Sequence, residues 1–297
     1  MGELLERVQC KLCGADDPLL LHRKYDLDIA RCRGCGLVYA GPQRLTPEES
    51  RARYSADFFE KEYLPALGVQ GHRFDLEAFD ARYRHLLDRL GPFRQLGTLL
   101  EVGSAAGFFL KAAERSGWTA TGLEVMEAGA RFARETLGLD VRLGTLEDAG
   151  LPAGSYDAVV LLDVIEHLHD PRAALAQARS LLRPGGALLL FTPNYDALSR
   201  RALGTAWAVL SPVEHLYYFT GGSLDRLLRE VGFREVAFDR RVGWGVVYDT
   251  MNPLATNDPQ SWRSRAWRWL VDTTGGTLVA RVQRHGLGDA LLCLAQN

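Results

Sequence analysis

No run of apolar residues in this chain approaches the ~18 that a membrane-spanning helix requires, so no membrane span is expected. The opening residues, MGELLERVQC, lack a basic stretch followed by an apolar core, so no secretion signal is read and a cytoplasmic location is the expectation. Neither sign of charge is in excess: 35 Lys and Arg stand against 37 Asp and Glu, a net of −2. A general attraction to nucleic acid or to an anionic membrane is therefore not expected. Internal repeats and low-complexity tracts are missing. The GxGxxG run of nicotinamide enzymes is absent, which disfavours a dehydrogenase. Cysteine is nearly confined to the front: of five, four fall within the first 35 residues and Cys293 stands alone near the end. What remains is an ordinary globular composition, 47% hydrophobic and 24% charged over 297 residues, enough for one large or two modest domains.

The front cysteines come as two CxxC pairs, Cys10 with Cys13 and Cys32 with Cys35. That spacing lets two thiolates reach one ion from a tight turn, and Gly14 and Gly36 follow the pairs where such a turn needs positive φ. With no export signal, metal binding is expected ahead of disulfides. Two such turns complete a tetrahedral four-sulfur Zn2+ site, which is closed and hence structural. A redox pair, an iron–sulfur site and free thiols are the competing readings. Residues 1–45 hold seven Lys or Arg against six Asp or Glu, and a near-neutral ribbon reads phosphates poorly. A stapled scaffold or a lid over a substrate pocket is expected instead. Cys293, in an apolar run, is read as a small core residue.

From 46 to 95 the pattern is that of a helical connector that caps the next domain. Thr46, Pro47, Glu48 and Glu49 look like a helix start, and Phe74, Leu76, Phe79, Tyr83, Leu86, Leu87 and Leu90 fall at helical spacing. From about 96 to 297, strand-like and helix-like runs alternate, which implies a mainly parallel sheet with helices on both faces. The run PRAALAQARSLLRPGG reads as a helix with Pro171 at its start and Gly185 after its end. Residues 196–218 read as an irregular lid, and VAFDRR and GDALLCLAQ as late strands. Residues 262–285 hold five Arg against one Asp among several Trp. An amphipathic helix packed on the domain, or a peripheral contact with a membrane or apolar partner through 260–285, would use that pattern.

Residues 99–110 read LLEVGSAAGFFL: an apolar strand ends at Glu101, a turn follows with Gly103, Ser104, Ala105 and Gly107, and a helix opens at Phe108. A buried strand feeding a glycine turn and a helix presents backbone N–H groups to a nucleotide-like ligand, although many α/β domains use such a turn for packing alone. With GLEV at Glu124, GTLEDAGLPAGSYDAVVLLDVIEHLHDP and LLRPGGALLLFTPN in that order, the chain from about 96 resembles the class I S-adenosylmethionine-dependent methyltransferases. Ala105 stands where that family usually has a glycine. The resemblance implies a doubly wound, mainly parallel seven-stranded Rossmann-like sheet that binds S-adenosyl-L-methionine. It implies that Glu101, Gly103, Ser104, Ala105, Gly107 and Phe108 approach the cofactor and that Glu124 accepts from the ribose hydroxyls. Val125 or Met126 would pack on the adenine, Thr145, Leu146 and Glu147 would edge it, and Asp163 would lie near the transferable methyl.

Methyl transfer needs alignment, exclusion of water and, for a hydroxyl acceptor, removal of a proton. His167 in DVIEHLHDP and His215 in PVEHLYYFT are the candidate bases. The second segment is similar to one in methyltransferases of natural-product and surface-polysaccharide pathways, which implies that His215 faces the pocket with Tyr217, Tyr218 and Phe219 lining it. Asp163, Glu166, His167 and His215 are also a possible divalent-ion set, and hydrogen bonding within loops is the alternative for each His. TPNY at Thr192–Tyr195 follows the fifth strand, not the fourth, so the motif of amino-group methyltransferases is rejected. The expected activity is O-methylation of a small molecule or sugar-containing metabolite, with no nucleic-acid partner. Deoxysugar C-methyltransferases also have a Cys-rich front, but they carry a longer C-terminal domain than is expected here. A zinc-ribbon RNA methyltransferase and a non-catalytic cofactor-binding module are the alternatives.

Overall fold

A computed structural model of the chain describes residues 5–69, 73–239, 256, 258–274, 276–282, 285 and 287–297. Of the stretches singled out in the sequence, residues 1–4, 70–72, 240–241, 275 and 283–284 lie outside the described residues. No helix among the described residues is long and apolar enough to cross a membrane.

The N-terminal part carries β1 (Leu5–Arg7), β2 (Pro18–Lys24), β3 (Leu27–Cys32), β4 (Val38–Ala40) and β5 (Gln43–Leu45), with β1 paired to β5 and β2, β3 and β4 forming an antiparallel meander. Next come α1 (Pro47–Ala52), α2 (Ala56–Phe58), a π-helical turn at Phe59–Tyr63, α3 (Leu64–Ala66) and α4 (Leu76–Leu90). Thr46 caps α1, its hydroxyl accepting from the Glu49 N–H, and Asp75 caps α4 by accepting from Glu77 and Ala78. The apolar stripe of α4 lies against the next helix of the chain: Phe79 stacks on Phe108 at 4.0 Å between ring centroids, and Tyr83 meets Phe109 edge-on at 5.4 Å.

The main domain runs β6 (Thr98–Val102), α5 (Phe108–Arg115), β7 (Thr119–Glu124), α6 (Glu127–Leu137), β8 (Asp140–Leu143), β9 (Tyr156–Leu162), α7 (Pro171–Leu181), β10 (Leu182–Pro193), α8 (Leu198–Leu203), β11 (Tyr217–Tyr218), α9 (Gly221–Val231), β12 (Arg234–Asp239), α10 (Trp262–Thr273), α11 (Thr277–Val282) and β13 (Ala290–Gln296). Among the described residues, seven strands form one sheet in the order β12-β13-β10-β9-β6-β7-β8. Strand β13 runs antiparallel to both its neighbours, β12 and β10, and the other pairs are parallel. Strand β9, central and covered on both faces, is buried along its whole length. The strand order reverses between β6 and β9, where doubly wound sheets open a crevice at their carboxyl ends.

Opposite that crevice, Asp157 fastens the sheet. Its carboxylate accepts from the backbone N–H groups of Gln95 and Gly97 and from the Arg183 guanidinium, which also donates to the Phe93 carbonyl. Asp157→Ala strips a buried cation of its partner and is expected to cost about 3–5 kcal/mol in denaturant unfolding. A loss under about 1 kcal/mol would place this pair among ordinary surface contacts.

Two local expectations differ from the structure. Helix α7 stops at Leu181, short of Gly185, because Pro184 cannot continue a helix and Leu182 already pairs with Tyr156 of β9. Residues 198–218 are not irregular throughout: they hold α8, a 3₁₀ turn at Gly204–Ala206 and β11, and they bury Leu203, Trp207 and Leu216. Cys293 is fully buried in β13. On α10, Trp267 packs inward, while Trp262 and Trp269, the rings a peripheral contact would use, are 70% and 67% exposed.

Candidate functional site

One wall of the crevice is the turn between β6 and α5. Gly103, Ala105 and Gly107 all take left-handed backbone conformations, with φ of 73°, 45° and 81°. A Cβ on Gly103 would stand 2.5 Å from Val164 Cγ2, and one on Gly107 would stand 2.6 Å from Leu139 Cδ1 and 3.0 Å from Ala133. Gly103 is therefore needed where the turn meets the β9 exit, and Gly107 where α5 closes on α6. Ala105 holds its conformation at a cost of roughly 1–2 kcal/mol. The offsetting contact is with Glu124, at the end of β7, whose Oε2 accepts from the Ala105 N–H at 2.6 Å. Glu124 Oε1 accepts from the Met126 N–H at 2.7 Å. Each oxygen keeps a further lone pair for ribose hydroxyls.

Beside this turn lies a cavity of about 20 Å³, room for about one water, lined by Tyr63, Tyr83, Glu101, Gly103, Ser104 and Phe108 among others. Glu101 Oε2 and Ser104 Oγ are buried there without a hydrogen-bond partner among the described residues. Burial and the facing Glu124 carboxylate hold the Glu101 carboxyl well above the usual range. The Tyr63 hydroxyl lies at the Ala106 backbone, so the connector covers the crevice. Tyr63 and Tyr83 were missed in the sequence, where aromatics at helical spacing read as packing. The orphaned acceptors, the left-handed turn and the Glu124 carboxylate fit the cationic methionine and ribose portions of S-adenosylmethionine.

The other predicted residues divide. Phe108 touches the cavity but spends its ring on Phe79 and Phe74. Val125 is 43% exposed beside Glu124, whereas Met126 is buried. The Thr145 hydroxyl bonds Asp148, Leu146 is buried in the core, and Glu147 is exposed.

The opposite wall is the β9 exit. Asp163 is left-handed at φ 52°, its N–H donating to the Phe191 carbonyl, and its carboxyl contacts Glu166. Glu166 is buried, with Oε2 accepting from the Thr192 hydroxyl at 2.9 Å. The His167 and His215 rings lie 4.7 Å apart. His167 Nδ1 faces the Glu214 carbonyl at 2.9 Å and His215 Nδ1 faces the Val209 carbonyl at 2.8 Å. A ring whose Nδ1–H donates to a carbonyl presents a bare Nε2. Burial, with the facing His215, pushes the His167 pKa down to about 3, and burial also lowers that of His215. One atom each from Glu166, His167 and His215 lie mutually within 4.8 Å. Asp163 stands beside this group, not within it. Tyr54 of the connector, also unforeseen, meets His167 edge-on at 6.4 Å between ring centroids.

The four cysteines come together in the N-terminal part, with all four sulfurs within 4.8 Å of one another. Gly14 and Gly36 take the expected positive φ, 76° and 81°, and their N–H groups donate to the Cys10 and Cys32 carbonyls. Four sulfurs from two such turns are the donor set of a tetrahedral thiolate ion site.

The chain matches the Methyltransferase domain family over residues 72–237. It is 30% identical over 207 residues to a ubiquinone biosynthesis O-methyltransferase of Paramagnetospirillum magneticum, covering 65% of this chain and 79% of that protein. It is 35% identical over 177 residues to an uncharacterized 37.1 kDa transposon protein of Streptomyces fradiae, covering 55% of this chain and spanning only about half (49%) of that relative's length. Among solved structures it resembles a possible histamine N-methyltransferase from Thermotoga maritima (20% identity, TM-score 0.53, 82% of this chain and 98% of that one). It also resembles a methyltransferase from Archaeoglobus fulgidus (18% identity, TM-score 0.54, 79% and 98%). At these identities the structural likenesses establish the fold, and the family match spans the glycine turn, Glu124 and the β9 exit together. The chain thus belongs to the Methyltransferase domain family and is a class I S-adenosylmethionine-dependent methyltransferase.

Proposed function

We propose that the protein methylates a hydroxyl oxygen of a small molecule bound between the glycine turn and the β9 exit. The observation that carries this reading is the convergence of Glu166, His167 and His215 beside the Gly103–Val164 contact. Three hydrogen-bond acceptors aimed at one point suit a group that must surrender a proton. His215 Nε2 accepts the hydroxyl proton as the oxygen attacks, and His167 and Glu166 pack beside it and restrict where the acceptor can sit. When bound, S-adenosylmethionine supplies the electrophilic methyl carbon on its sulfonium. Glu101 and Glu124, buried carboxyls that face one another, favour a cationic ligand and anchor its methionine and ribose ends. Asp163 stands near the reacting carbon and steadies Glu166. The relatives named O-methyltransferases support oxygen as the acceptor atom.

The same three atoms also fit a divalent cation, because both imidazoles are oriented by carbonyls behind them and Glu166 by the Thr192 hydroxyl. Such an ion would polarise a hydroxyl or a pair of adjacent oxygens. The four cysteines hold Zn2+ as a structural ion in this reading. Cys10→Ser is expected to abolish stoichiometric zinc, read by atomic absorption, and to lower the melting temperature by several degrees. Retained zinc with unchanged melting would exclude the four-sulfur site.

The deciding experiment incubates the full chain and labelled S-adenosylmethionine with catechols, hydroxylated quinols and sugar derivatives, with and without Mg2+. Transfer to oxygen supports the proposal, and transfer only to nitrogen, carbon or RNA overturns it. Tight cofactor binding without any transfer favours the non-catalytic alternative.

A further inference from the structure

The structure assigns the four-cysteine ribbon a second role, beyond holding its own fold. Through Arg44 and β4 it keeps both histidine segments of the acceptor wall in register. The inference rests on the reading of Glu166, His167 and His215 as that wall. The ribbon does not supply every strand of its own sheet. The meander β2-β3-β4 is completed by β11, with Tyr217 opposite Tyr39 and Tyr218 opposite Val38. The Ala40 N–H donates to the Leu216 carbonyl at 2.9 Å, and the Leu216 N–H donates to the Glu166 carbonyl at 2.8 Å. Leu216 directly follows His215, and Glu166 directly precedes His167. One ladder therefore runs from the ribbon through both histidine segments.

Arg44 fastens the same two segments from below. It is 2% exposed, and its guanidinium donates to Glu6 Oε1 at 2.9 Å, to the Tyr217 hydroxyl at 2.9 Å and to the His169 carbonyl at 3.0 Å. The Tyr217 hydroxyl in turn donates to the His169 carbonyl at 3.2 Å. His169 bonds Glu6 through Nδ1 and Ser50 through Nε2. Arg44 thus joins strand β5, the residue two places after His167 and the residue two places after His215. Only a planar fork reaches all three acceptors, so a lysine cannot replace it.

The metal knuckle sits at the base of this ladder. Cys32 ends β3, and its N–H donates to the Leu37 carbonyl, just before β4 begins. By contrast, the lining of the cavity beside the glycine turn includes no residue before Tyr63. The ribbon braces the acceptor wall and leaves the cofactor turn to the connector and the sheet.

Arg44 is accordingly a positioning residue, tested on the full-length protein as Arg44→Met, as Tyr217→Phe, which deletes one hydroxyl only, and as the unmodified protein stripped by a thiol-competitive chelator. Amide hydrogen exchange in residues 164–170 and 209–219 is expected to rise about tenfold or more, with residues 99–107 and 119–126 unchanged. S-adenosylhomocysteine affinity by calorimetry stays within about twofold, against the ~1.4 kcal/mol of a tenfold change. In 15N-histidine spectra, His167 and His215 lose their single Nδ1–H tautomer. If Arg44→Met does not fold, Tyr217→Phe and the stripped protein carry the same readouts. Unchanged exchange in the acceptor segments overturns the inference. Equal loosening of both sets also overturns it, because that is the mark of a general staple. These readouts need no acceptor, so a failure of methyl transfer sinks the proposed reaction without imitating either result.

Discussion

Replacing His215 with alanine lowers methyl transfer about 10²–10⁴-fold while S-adenosylhomocysteine binding stays within about twofold. The split is expected because the proposed reaction uses His215 in the acceptor wall. Its Nδ1–H is committed to the Val209 carbonyl, leaving Nε2 as the acceptor, beside His167 and Glu166. Burial lowers its pKa, which favours the neutral ring, the form with a lone pair to offer. His215→Gln, which keeps a polar group but no comparable base, should fall nearly as far. The comparison with His167→Ala separates two uses of the site. A base role makes His215 the more damaging loss, whereas a cation role makes the two comparable and makes unmodified enzyme sensitive to a chelator too weak to strip a four-thiolate site. Initial rates under saturating cofactor, with melting temperature as a control for folding, decide it. Turnover within about threefold of the unmodified enzyme would remove His215 from the reaction.

Glu124→Ala should weaken S-adenosylhomocysteine binding by about 1–3 kcal/mol and leave the acceptor segments undisturbed. Two losses combine. The ribose hydroxyls would lose their acceptor, and the Ala105 and Met126 N–H groups, now bonded at 2.6 and 2.7 Å, would lose theirs. The second loss matters because Ala105 is held left-handed without glycine's freedom. Combining Glu124→Ala with Ala105→Gly should recover part of the affinity, since glycine needs less support there. Calorimetry on both variants measures each share. Unchanged affinity in Glu124→Ala would place the carboxylate outside the site.

Local features were legible in the sequence because their physics is local. The Thr46 helix start is written within a few residues of where it acts, and so are the CxxC turns with their left-handed glycines. The period-two and period-3.6 patterns gave the order of strands and helices from β6 to β10. The pairing of β11 with β4 could not be read: a two-residue strand has no periodicity, and its partner is far away in the chain. Nothing in the sequence sets Arg44 apart from the other six cations of the ribbon, because its three acceptors come from three distant segments. Tyr54 and Tyr63 were hidden for a related reason. Aromatics on short helical turns signal packing, and only the folded chain shows them packed against the His167 ring and the Ala106 backbone.

The shared sheet sets a timetable for synthesis. A nascent chain emerges with β2, β3 and β4 long before Tyr217 leaves the ribosome, roughly 10–40 s later at ~5–20 residues per second. Through that interval β4 offers an unpaired row of N–H and C=O groups to any neighbouring strand. With zinc bound as proposed, the knuckle can hold the meander in shape while it waits. A cell short of the metal would then lose this protein to aggregation during translation before it lost any finished enzyme.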